Sequence, residues 1–259
     1  MTEHVRYDVS DQVTTLTLDS PHNRNALSSK FVAELRKGLA EAATDPSVRA
    51  VVLTHTGGTF CAGADLSEAN AASGHTDADT LADQRSRTMI ELLRSIVELP
   101  KPVLGCIDGH VRAGGMGLVG ACDMALAGPD STFALTEARL GLAASIISLT
   151  VLPQLSSRAA GRYFLTGEKF GSGEAERLGR VTMAPDDPTA ATEALLAEVR
   201  KSSPQGLAES KALTTEAMRA GFDATSDRRL AQSARLFNSP EAQEGMTAFL
   251  QKRPPTWAQ

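Results

Sequence analysis

The sequence has few cysteines and histidines, and neither type is grouped. Three cysteines, Cys61, Cys106 and Cys122, form no close pair, and five histidines are scattered without the spacing of metal ligands. An odd number of separated cysteines is typical of a protein from a reducing compartment, and it does not fit a disulfide framework. We therefore expect neither structural disulfides nor a bound metal.

The chain also lacks a long apolar run and an excess of basic residues. No stretch is apolar over the roughly 20 residues that a membrane-spanning helix needs, and the start, MTEHVRYD, lacks the pattern of a signal peptide. The formal net charge over 259 residues is -5, which argues against a broad nucleic-acid-binding surface. These absences predict a cytoplasmic protein with neither a membrane nor a nucleic acid as its partner.

A glycine-rich stretch, Gly109–Asp123, follows an apolar run at Val103–Ile107 that is typical of a buried strand. Small apolar residues from Met116 onward predict a tightly packed helix, with Gly114 and Gly115 at its start. Glycines at a helix start leave backbone N–H groups uncovered, and the helix dipole adds partial positive charge there. This pattern favours a site for an anion, or for an oxygen that becomes anionic in a transition state.

The same glycines also fit two roles that compete with an anion site. They could serve only the close packing of the helix against a strand. Residues Gly115–Gly120 also match the G-x-G-x-x-G pattern of dinucleotide-binding proteins, which should directly follow a strand and open a helix. We expect irregular residues at 108–114 between strand and motif, which makes a nicotinamide dehydrogenase the weaker interpretation.

A second glycine-rich turn follows the predicted strand Arg49–Thr54. Its residues Ala62, Gly63 and Ala64 offer main-chain N–H groups with almost no side chain in the way, and Asp65 suits a cap of the next turn. One donor from each of the two turns would make the two-donor oxyanion hole that acyl chemistry needs. Two turns of this type indicate an acyl-transfer or enolate site more strongly than either does alone.

Two charged residues are candidates for chemistry or binding. Glu137 follows an apolar strand-like run, where it could act as an acid or base, or remain a solvated charge or a partner of Arg139. Arg24 lies in a polar loop, where it could meet a ligand phosphate or remain a solvated loop charge. The sequence leaves both alternatives open for each residue.

Five motifs occur in the order and spacing of one known family: Phe60–Leu66, Lys101–Val103, Gly109 with Ala113–Gly115, Cys122–Asp123, and Phe133–Gly141. On these motifs the chain resembles the enoyl-CoA hydratase/isomerase (crotonase) superfamily over almost its whole length. The resemblance implies an α/β fold, with a crotonase-like spiral of ββα units over residues 1–200. It further implies a helical trimerisation region over residues 201–259, and a homotrimer or dimer of trimers.

The resemblance also implies site roles and a substrate class. The substrate would be an acyl-CoA thioester, so that coenzyme A is part of the substrate and no separate cofactor is expected. The thioester oxygen would accept hydrogen bonds from the amides of Ala64 and Gly114, with Glu137 as the catalytic acid or base. The residues implied to bind substrate and CoA are Arg24, Ala26, Ala62, Asp65, Leu66, Phe249 and Lys252.

The sequence departs from the family pattern in two places. Many hydratases resemble one another in having two glutamates; Glu137 matches the second, whereas Gly117 occupies the position of the first. A proline and glycine run that many relatives carry is replaced by Ala143–Ser148, which predicts a different roof for the acyl pocket. In both respects the chain is similar to bacterial 3-methylglutaconyl-CoA hydratase-like proteins, which implies a short, branched or carboxylated acyl group.

Three functional hypotheses follow from these residues. The first is a hydratase or lyase in which Glu137 handles both water and the proton at C2 of a CoA thioester. The second is a double-bond isomerase or a decarboxylase, since one carboxylate suffices to move a proton between two carbons. The third is a non-catalytic acyl-CoA-binding protein that retains only the two amide turns.

Overall fold

The structure is a computed structural model that describes residues 3–65, 68 and 78–258. Its strands, in chain order, are β1 (Val5–Ser10), β2 (Val13–Leu18), β3 (Ala50–His55), β4 (Thr59–Cys61), β5 (Val103–Ile107), β6 (His110–Arg112), β7 (Met124–Ala127), β8 (Thr132–Ala134) and β9 (Phe170–Gly171). The larger sheet has the order β1-β2-β3-β5-β7, antiparallel between β1 and β2 and parallel elsewhere. The first hairpin turns at Asp11 and Gln12, whose positive φ angles of 46° and 65° suit a tight two-residue turn.

The smaller sheet has the order β4-β6-β8-β9, and its first three strands are parallel. Along the chain, β3 joins the larger sheet and the next strand, β4, joins the smaller one. The same alternation is repeated by β5 and β6, and then by β7 and β8. The expectation of irregular backbone at 108–114 was therefore wrong at β6, and the turn predicted before Ala62 contains β4. Strands of three residues are too short to show a two-residue period in the sequence.

The helices of the described chain are α1 (Ser29–Thr44), α2 (Ala78–Glu98), α3 (Gly114–Ala121), α4 (Ser148–Val151), α5 (Ser157–Thr166), α6 (Ser172–Arg177), α7 (Pro188–Val199), α8 (Pro204–Thr214), α9 (Glu216–Phe237) and α10 (Pro240–Leu250). Short 3₁₀ turns occur at Pro21–Asn23, Glu137–Leu140, Leu152–Gln154 and Thr256–Ala258. The predicted cap of α1 is confirmed, because the Ser28 side chain accepts a hydrogen bond from the Phe31 amide at 3.2 Å.

The C-terminal helices divide at a different place from the one that the sequence predicts. A helix over 204–220 and a second over 224–237 were expected, but the chain breaks at Thr215, and α9 then continues to Phe237. The Thr215 hydroxyl donates to the Lys211 carbonyl at 2.7 Å and closes α8, whereas Gly221 is tolerated inside α9. A single glycine inside a long helix is thus a weaker breaker than the sequence pattern suggests.

A buried ion pair fastens the C-terminal helices to the strands. Lys211 on α8 is 6% exposed, and its Nζ lies 2.7 Å from Oδ2 of Asp123, at the start of β7. The same ammonium donates to the carbonyls of Ile96 and Lys101 at 2.8 and 3.1 Å. The division into residues 1–200 and 201–259 stays a prediction. Over the described residues, no helix combines the length and apolarity needed to cross a membrane.

Candidate active site

The smaller sheet carries the three residues that the sequence singles out for chemistry. Strand β4 leads into Ala64, β6 leads into Gly114, and β8 leads into Glu137. These strands are parallel neighbours, so their carboxyl ends meet at one edge of the sheet, with roughly 4.8 Å between adjacent strands. The Ala113 amide also donates to the Ala134 carbonyl at 3.3 Å, which fixes the approach to Glu137 beside Gly114.

The turn after β4 offers fewer free amides than the sequence suggests. The Ala62 amide donates to the Arg24 carbonyl at 3.1 Å, and the Gly63 amide lies 3.4 Å from Sγ of Cys61. Within the part of the chain that the structure describes, no group accepts a hydrogen bond from the Ala64 amide. Ala64 is therefore the donor of this turn that is available to a ligand.

The two glycine-rich turns lie directly against each other. A β-carbon built on Gly63 would lie 3.4 Å from the Gly114 nitrogen and 2.8 Å from Cβ of Ala113. Gly63 has a φ of +94°, which L side chains rarely adopt, so the turn requires glycine for its conformation and for its contact. Ala113 also has a positive φ, of 45°, immediately before the start of α3. The amides of Ala64 and Gly114 thus come from adjoining turns, as a two-donor oxyanion hole requires.

The loop before α1 is joined to the first of these turns. Besides the bond from Ala62 to Arg24, the Leu27 amide donates to the Gly63 carbonyl at 2.8 Å. Arg24 is exposed and has a φ of 59°, whereas Ala26 is buried at 7% exposure. The structure therefore brings Arg24, Ala26 and Ala62 together along one edge of the candidate site.

Asn25 organises this loop, although no sequence motif marks it. The side chain is fully buried; its Oδ1 accepts from the Ser20 amide at 2.6 Å, and its Nδ2 donates to the carbonyls of Thr56 and Thr59 at 3.2 and 2.8 Å. A single asparagine in a polar loop gives no signal of burial. The neighbouring Asn23 donates to Oδ2 of Asp65 at 3.2 Å, while Leu66 lies outside the described residues.

Glu137 begins a 3₁₀ turn and has an unusual environment. Its Oε2 atom is buried and has no hydrogen-bond partner among the described residues. Burial raises the pKa of this carboxyl from its ordinary value of 4.5 to about 7, although a bond from its own backbone amide opposes the rise. A carboxyl with a pKa near neutrality can both accept and donate a proton at physiological pH. The alternative of a solvated charge is wrong for this residue.

Two elements hold the Glu137 turn in place. The last helix, α10, packs so closely that a β-carbon on Gly245 would lie 2.4 Å from the Leu140 carbonyl oxygen. On the other side, Nε of Arg139 donates to the Thr166 carbonyl at 2.8 Å, at the end of α5. Arg139 therefore bonds to the backbone, and the predicted alternative of a Glu137–Arg139 pair is not formed.

Position 117, where many hydratases have the first glutamate, also lacks the space for a side chain. A β-carbon on Gly117 would lie 2.6 Å from Cγ2 of Ile147 and 3.4 Å from Cδ1 of Leu93. Both side chains are buried, at 4% and 0% exposure. A carboxylate at position 117 would therefore meet Ile147, which belongs to the Ala143–Ser148 segment where the second departure from the family pattern lies.

The remaining predicted residues lie at the end of α10. Phe249 is in the last turn of this helix with 59% of its surface exposed, and Lys252 follows with a φ of 54°. Their predicted contact with CoA stays a prediction. Within the described ranges, no group of three or more histidine, cysteine, aspartate or glutamate side chains is arranged to hold a metal ion.

A buried arginine supports α3 and lies in no motif. Arg180 is 2% exposed; its Nη2 donates to the Met116 carbonyl at 3.1 Å, and its Nη1 bonds to Oε1 of Gln154. Gln154 in turn donates to the Gly120 carbonyl at 2.8 Å. Burial lowers the pKa of Arg180 to about 10. These bonds hold the helix that presents the Gly114 amide.

Comparison with known proteins agrees with this arrangement. Residues 8–259 match the family model described as Enoyl-CoA hydratase/isomerase. An enoyl-CoA hydratase from Mycobacterium avium is 56% identical, with a TM-score of 0.91 and coverage of 99% of this chain and 100% of that chain. The carnitinyl-CoA hydratase of the same species is 27% identical, with a TM-score of 0.85 and 99% coverage of each chain. The mevalonyl-coenzyme A hydratase of Aspergillus fumigatus is 30% identical over 261 residues, covering 95% of this chain and 91% of that protein.

The ββα repeats, with two adjoining amide turns and a glutamate whose Oε2 is buried, define an enzyme of the crotonase superfamily. Within it, the chain belongs to the enoyl-CoA hydratase/isomerase family, and the predicted fold class is confirmed. This family implies an acyl-CoA substrate. Family membership also excludes the interpretation as a dinucleotide-binding protein. The glycines at 115 and 120 instead allow close packing: a β-carbon on Gly115 would lie 2.8 Å from Cβ of Cys61, and one on Gly120 would lie 2.8 Å from the Thr150 carbonyl oxygen.

Proposed function

We propose that the enzyme adds water to a short or branched 2-enoyl-CoA thioester, or removes water from the corresponding 3-hydroxyacyl-CoA. The observation that carries this proposal is the carboxyl of Glu137, with a buried Oε2 and a pKa raised to about 7, in the turn that follows β8 and beside the adjoining amide turns. The hydratase names of the relatives support the same reaction type. Coenzyme A enters as part of the substrate.

The amides of Ala64 and Gly114 would stabilise the charge that develops on the thioester oxygen. When a nucleophile adds at C3, the electrons of the C2=C3 bond move toward the carbonyl and form an enolate. Two fixed N–H donors aimed at that oxygen need no reorganisation during the reaction, and removal of one such donor typically costs about 10²-fold to 10³-fold in rate. The contact between the two turns fixes both donors together.

Glu137 would carry the proton in both halves of the reaction. Its carboxylate takes a proton from water as the water oxygen bonds to C3. The protonated carboxyl then returns that proton to C2 of the enolate, so the glutamate regains its starting state. A pKa near 7 keeps the donor and acceptor forms close in free energy, which such an exchange requires.

The surroundings of Gly117 favour double-bond isomerisation or decarboxylation as the second candidate. Ile147 and Leu93 present apolar surface where a second carboxylate would orient water. In an isomerase, Glu137 would remove a proton from C2 of a 3-enoyl thioester and return it to C4 of the dienolate. In a decarboxylase, it would supply a proton to C2 after loss of carbon dioxide. One carboxyl suffices for either reaction.

The decisive experiment compares the wild type with Glu137→Gln on crotonyl-CoA, 3-methylglutaconyl-CoA and 3-hexenoyl-CoA. Loss of the enoyl absorbance with a 2-enoyl thioester, and incorporation of ¹⁸O from water, identify a hydratase. Gain of that absorbance from the 3-enoyl thioester without ¹⁸O identifies an isomerase. We expect Glu137→Gln to lower turnover by at least about 10²-fold. Glu198→Gln, at a glutamate 69% exposed, is the matched control and should keep full activity.

Unchanged turnover in Glu137→Gln would contradict the role of this glutamate. Binding of CoA thioesters without any turnover by the wild type would instead support a non-catalytic acyl-CoA-binding protein. The CoA contacts of Arg24, Ala26, Ala62 and Asp65 belong to the same proposal. Its support is the hydrogen-bonded junction between the Arg24 loop and the Ala62–Ala64 turn.

A further inference from the structure

One face of α3 continues directly from the candidate oxyanion site and has no side chains of its own. Gly114 and Gly117 are three residues apart in this helix, so they lie on the same face, roughly 4.5 Å apart along the axis. A thioester carbonyl bound at the Gly114 amide would direct its acyl group either along this face or away from the helix. For an acyl group that lies along this face, the groups that touch Gly117 determine how far it can extend.

Two branched aliphatic side chains close this face at Gly117. The position of a Gly117 β-carbon is 2.6 Å from Cγ2 and 3.1 Å from Cβ of Ile147, and 3.4 Å from Cδ1 of Leu93. Ile147 approaches from the turn before α4, and Leu93 approaches from α2. The face thus ends at an apolar barrier about one helical turn beyond Gly114.

Hydrogen bonds fix Ile147 in this position. The Val151 amide donates to the Ile147 carbonyl at 2.9 Å, and the hydroxyl of Thr150 donates to the Gly117 carbonyl at 3.0 Å. Thr150 is fully buried, and its carbonyl oxygen is in close contact with α3 at Gly120. Because α4 is hydrogen-bonded to α3 at Gly117 and packs against it at Gly120, the Ile147 backbone cannot move away without breaking a buried hydrogen bond.

We propose that Ile147 determines acyl-chain specificity, by closing the α3 face to acyl groups much longer than four carbons. The inference rests on the proposed function, since it takes the thioester carbonyl to lie at Ala64 and Gly114. Overfilling a packed apolar site is unfavourable, and one or two methylene groups commonly change discrimination about 10-fold or more. The substrate class is therefore a CoA thioester with a short acyl group.

The test measures equilibrium binding of butyryl-CoA and octanoyl-CoA by titration calorimetry. These saturated thioesters bind without turnover, so the result does not depend on which reaction the enzyme performs. We expect Ile147→Ala to change the ratio of the two dissociation constants by about 10-fold in favour of octanoyl-CoA. Ile147→Val, which removes one methyl group and leaves most of the packing, should change the ratio by about 3-fold in the same direction.

Leu104→Ala is the matched control, because it truncates an aliphatic side chain of the same size at a fully buried position of β5. Leu104 belongs to a hydrophobic cluster with Val52 and Leu196 that is separate from the one containing Leu93 and Ile147. We expect this variant to leave the ratio of dissociation constants within about 2-fold of wild type. An equal change in Leu104→Ala and Ile147→Ala, or a constant ratio in Ile147→Ala and Ile147→Val, would overturn the inference.

The outcomes separate this inference from the proposed function. A shifted ratio together with no turnover of any thioester would retain the specificity role and reject the proposed catalysis. Turnover that depends on Glu137, together with a constant ratio, would retain catalysis and reject the role of Ile147. Failure of the wild type to bind either thioester would reject both.

Discussion

At the scale of single residues, the ionised carboxylate of Glu137 lowers the stability of the folded protein. Its pKa is about 7 in the folded protein and about 4.5 in the unfolded chain. The folded state therefore holds more protons between these values, and the free energy of unfolding falls as pH rises through this window. The loss is complete above pH 7, where a charged carboxylate is buried without a partner for Oε2.

Glu137→Gln should accordingly be more stable than wild type at pH 8, by about 3 kcal/mol. The difference should shrink as pH falls through this window and approach its minimum below pH 4.5, where the wild-type carboxyl becomes protonated in both states. Urea unfolding of both proteins between pH 4.5 and 8.5 measures this difference directly. A difference that stays constant with pH would contradict the raised pKa.

The rate should follow the same ionisation. Each proposed reaction of an enoyl or hydroxyacyl thioester starts from the Glu137 carboxylate, so kcat/KM should rise with pH through about 7 and then level off. Measuring initial rates from pH 5.5 to 9 on the best substrate provides the profile. A rate that is flat across this range would show that another group moves the proton.

Gly117 and Ile147 illustrate what a sequence can and cannot reveal about a site. The absence of the first glutamate is evident at position 117, because the surrounding glycine motif fixes the alignment. The side chain that fills the space beside Gly117 belongs to Ile147, 30 positions further along the chain, and no local sequence pattern predicts this contact. Asn25 and Arg180 went unnoticed for the same reason, since their importance comes from burial and from distant carbonyl partners.

A paired substitution tests this contact. Gly117→Glu alone should destabilise the protein by about 1 to 3 kcal/mol and gain no hydration activity, because the new side chain meets Ile147. Gly117→Glu combined with Ile147→Gly opens that space and should raise kcat for hydration of crotonyl-CoA by about 10-fold over Ile147→Gly alone. Steady-state kinetics and urea unfolding of the three variants provide the comparison. Equal hydration rates in the double variant and in Ile147→Gly would contradict it.

At the scale of elements, the longer segments were predictable, and the shortest ones were not. The pairing partners β1 and β2, the capped helix α1 and the strand β5 each have enough residues to show their period or their boundary signal. Strands β4 and β6 have three residues each and are bounded by glycine-rich turns. These strands form because they pair with strands that are distant in sequence. A short stretch of sequence taken alone does not contain the residues of those partner strands.

Loss of one partner of the Lys211–Asp123 pair should strongly reduce the stability of the fold, because the pair joins α8 to the residue directly before β7. Burial lowers the pKa of Lys211 and raises that of Asp123, while their mutual attraction opposes both changes. Lys211→Met should lower the free energy of unfolding by about 3 to 5 kcal/mol, since it leaves the Asp123 carboxylate buried and unpaired. Lys201→Met, at a pair with both side chains 69% exposed, is the control and should cost less than about 1 kcal/mol. Similar losses in both variants on chemical denaturation would contradict this difference.

At the scale of the whole molecule, the family could be predicted because its motifs span the chain. The acyl group could not, because relatives with names as different as carnitinyl-CoA hydratase and mevalonyl-coenzyme A hydratase match over nearly the same length. Specificity depends on side chains such as Ile147 that line a shared framework. The fold and the reaction class are thus properties of the motifs, whereas the substrate is a property of the residues between them.

Assembly also belongs to this scale, and it stays a prediction. The C-terminal part exposes Leu213, Phe249, Leu250 and Trp257 by 75%, 59%, 46% and 46% of their surfaces. Burial of such side chains between copies would be favourable. We expect sedimentation equilibrium at micromolar concentration to give three or six times the monomer mass. A single species of monomer mass would contradict the trimer.

Ala64, Gly114 and Glu137 each follow one of three neighbouring strands, and this constrains how the enzyme can diverge. Successive residues of a strand face opposite sides of the sheet, so one inserted or deleted residue in β6 or β8, whose pairing is regular, would reverse the direction of the turn that follows. Such a change would misdirect one donor or the carboxyl while leaving the larger sheet intact. New activities on this scaffold should therefore arise by side-chain replacement, with the lengths of these strands unchanged.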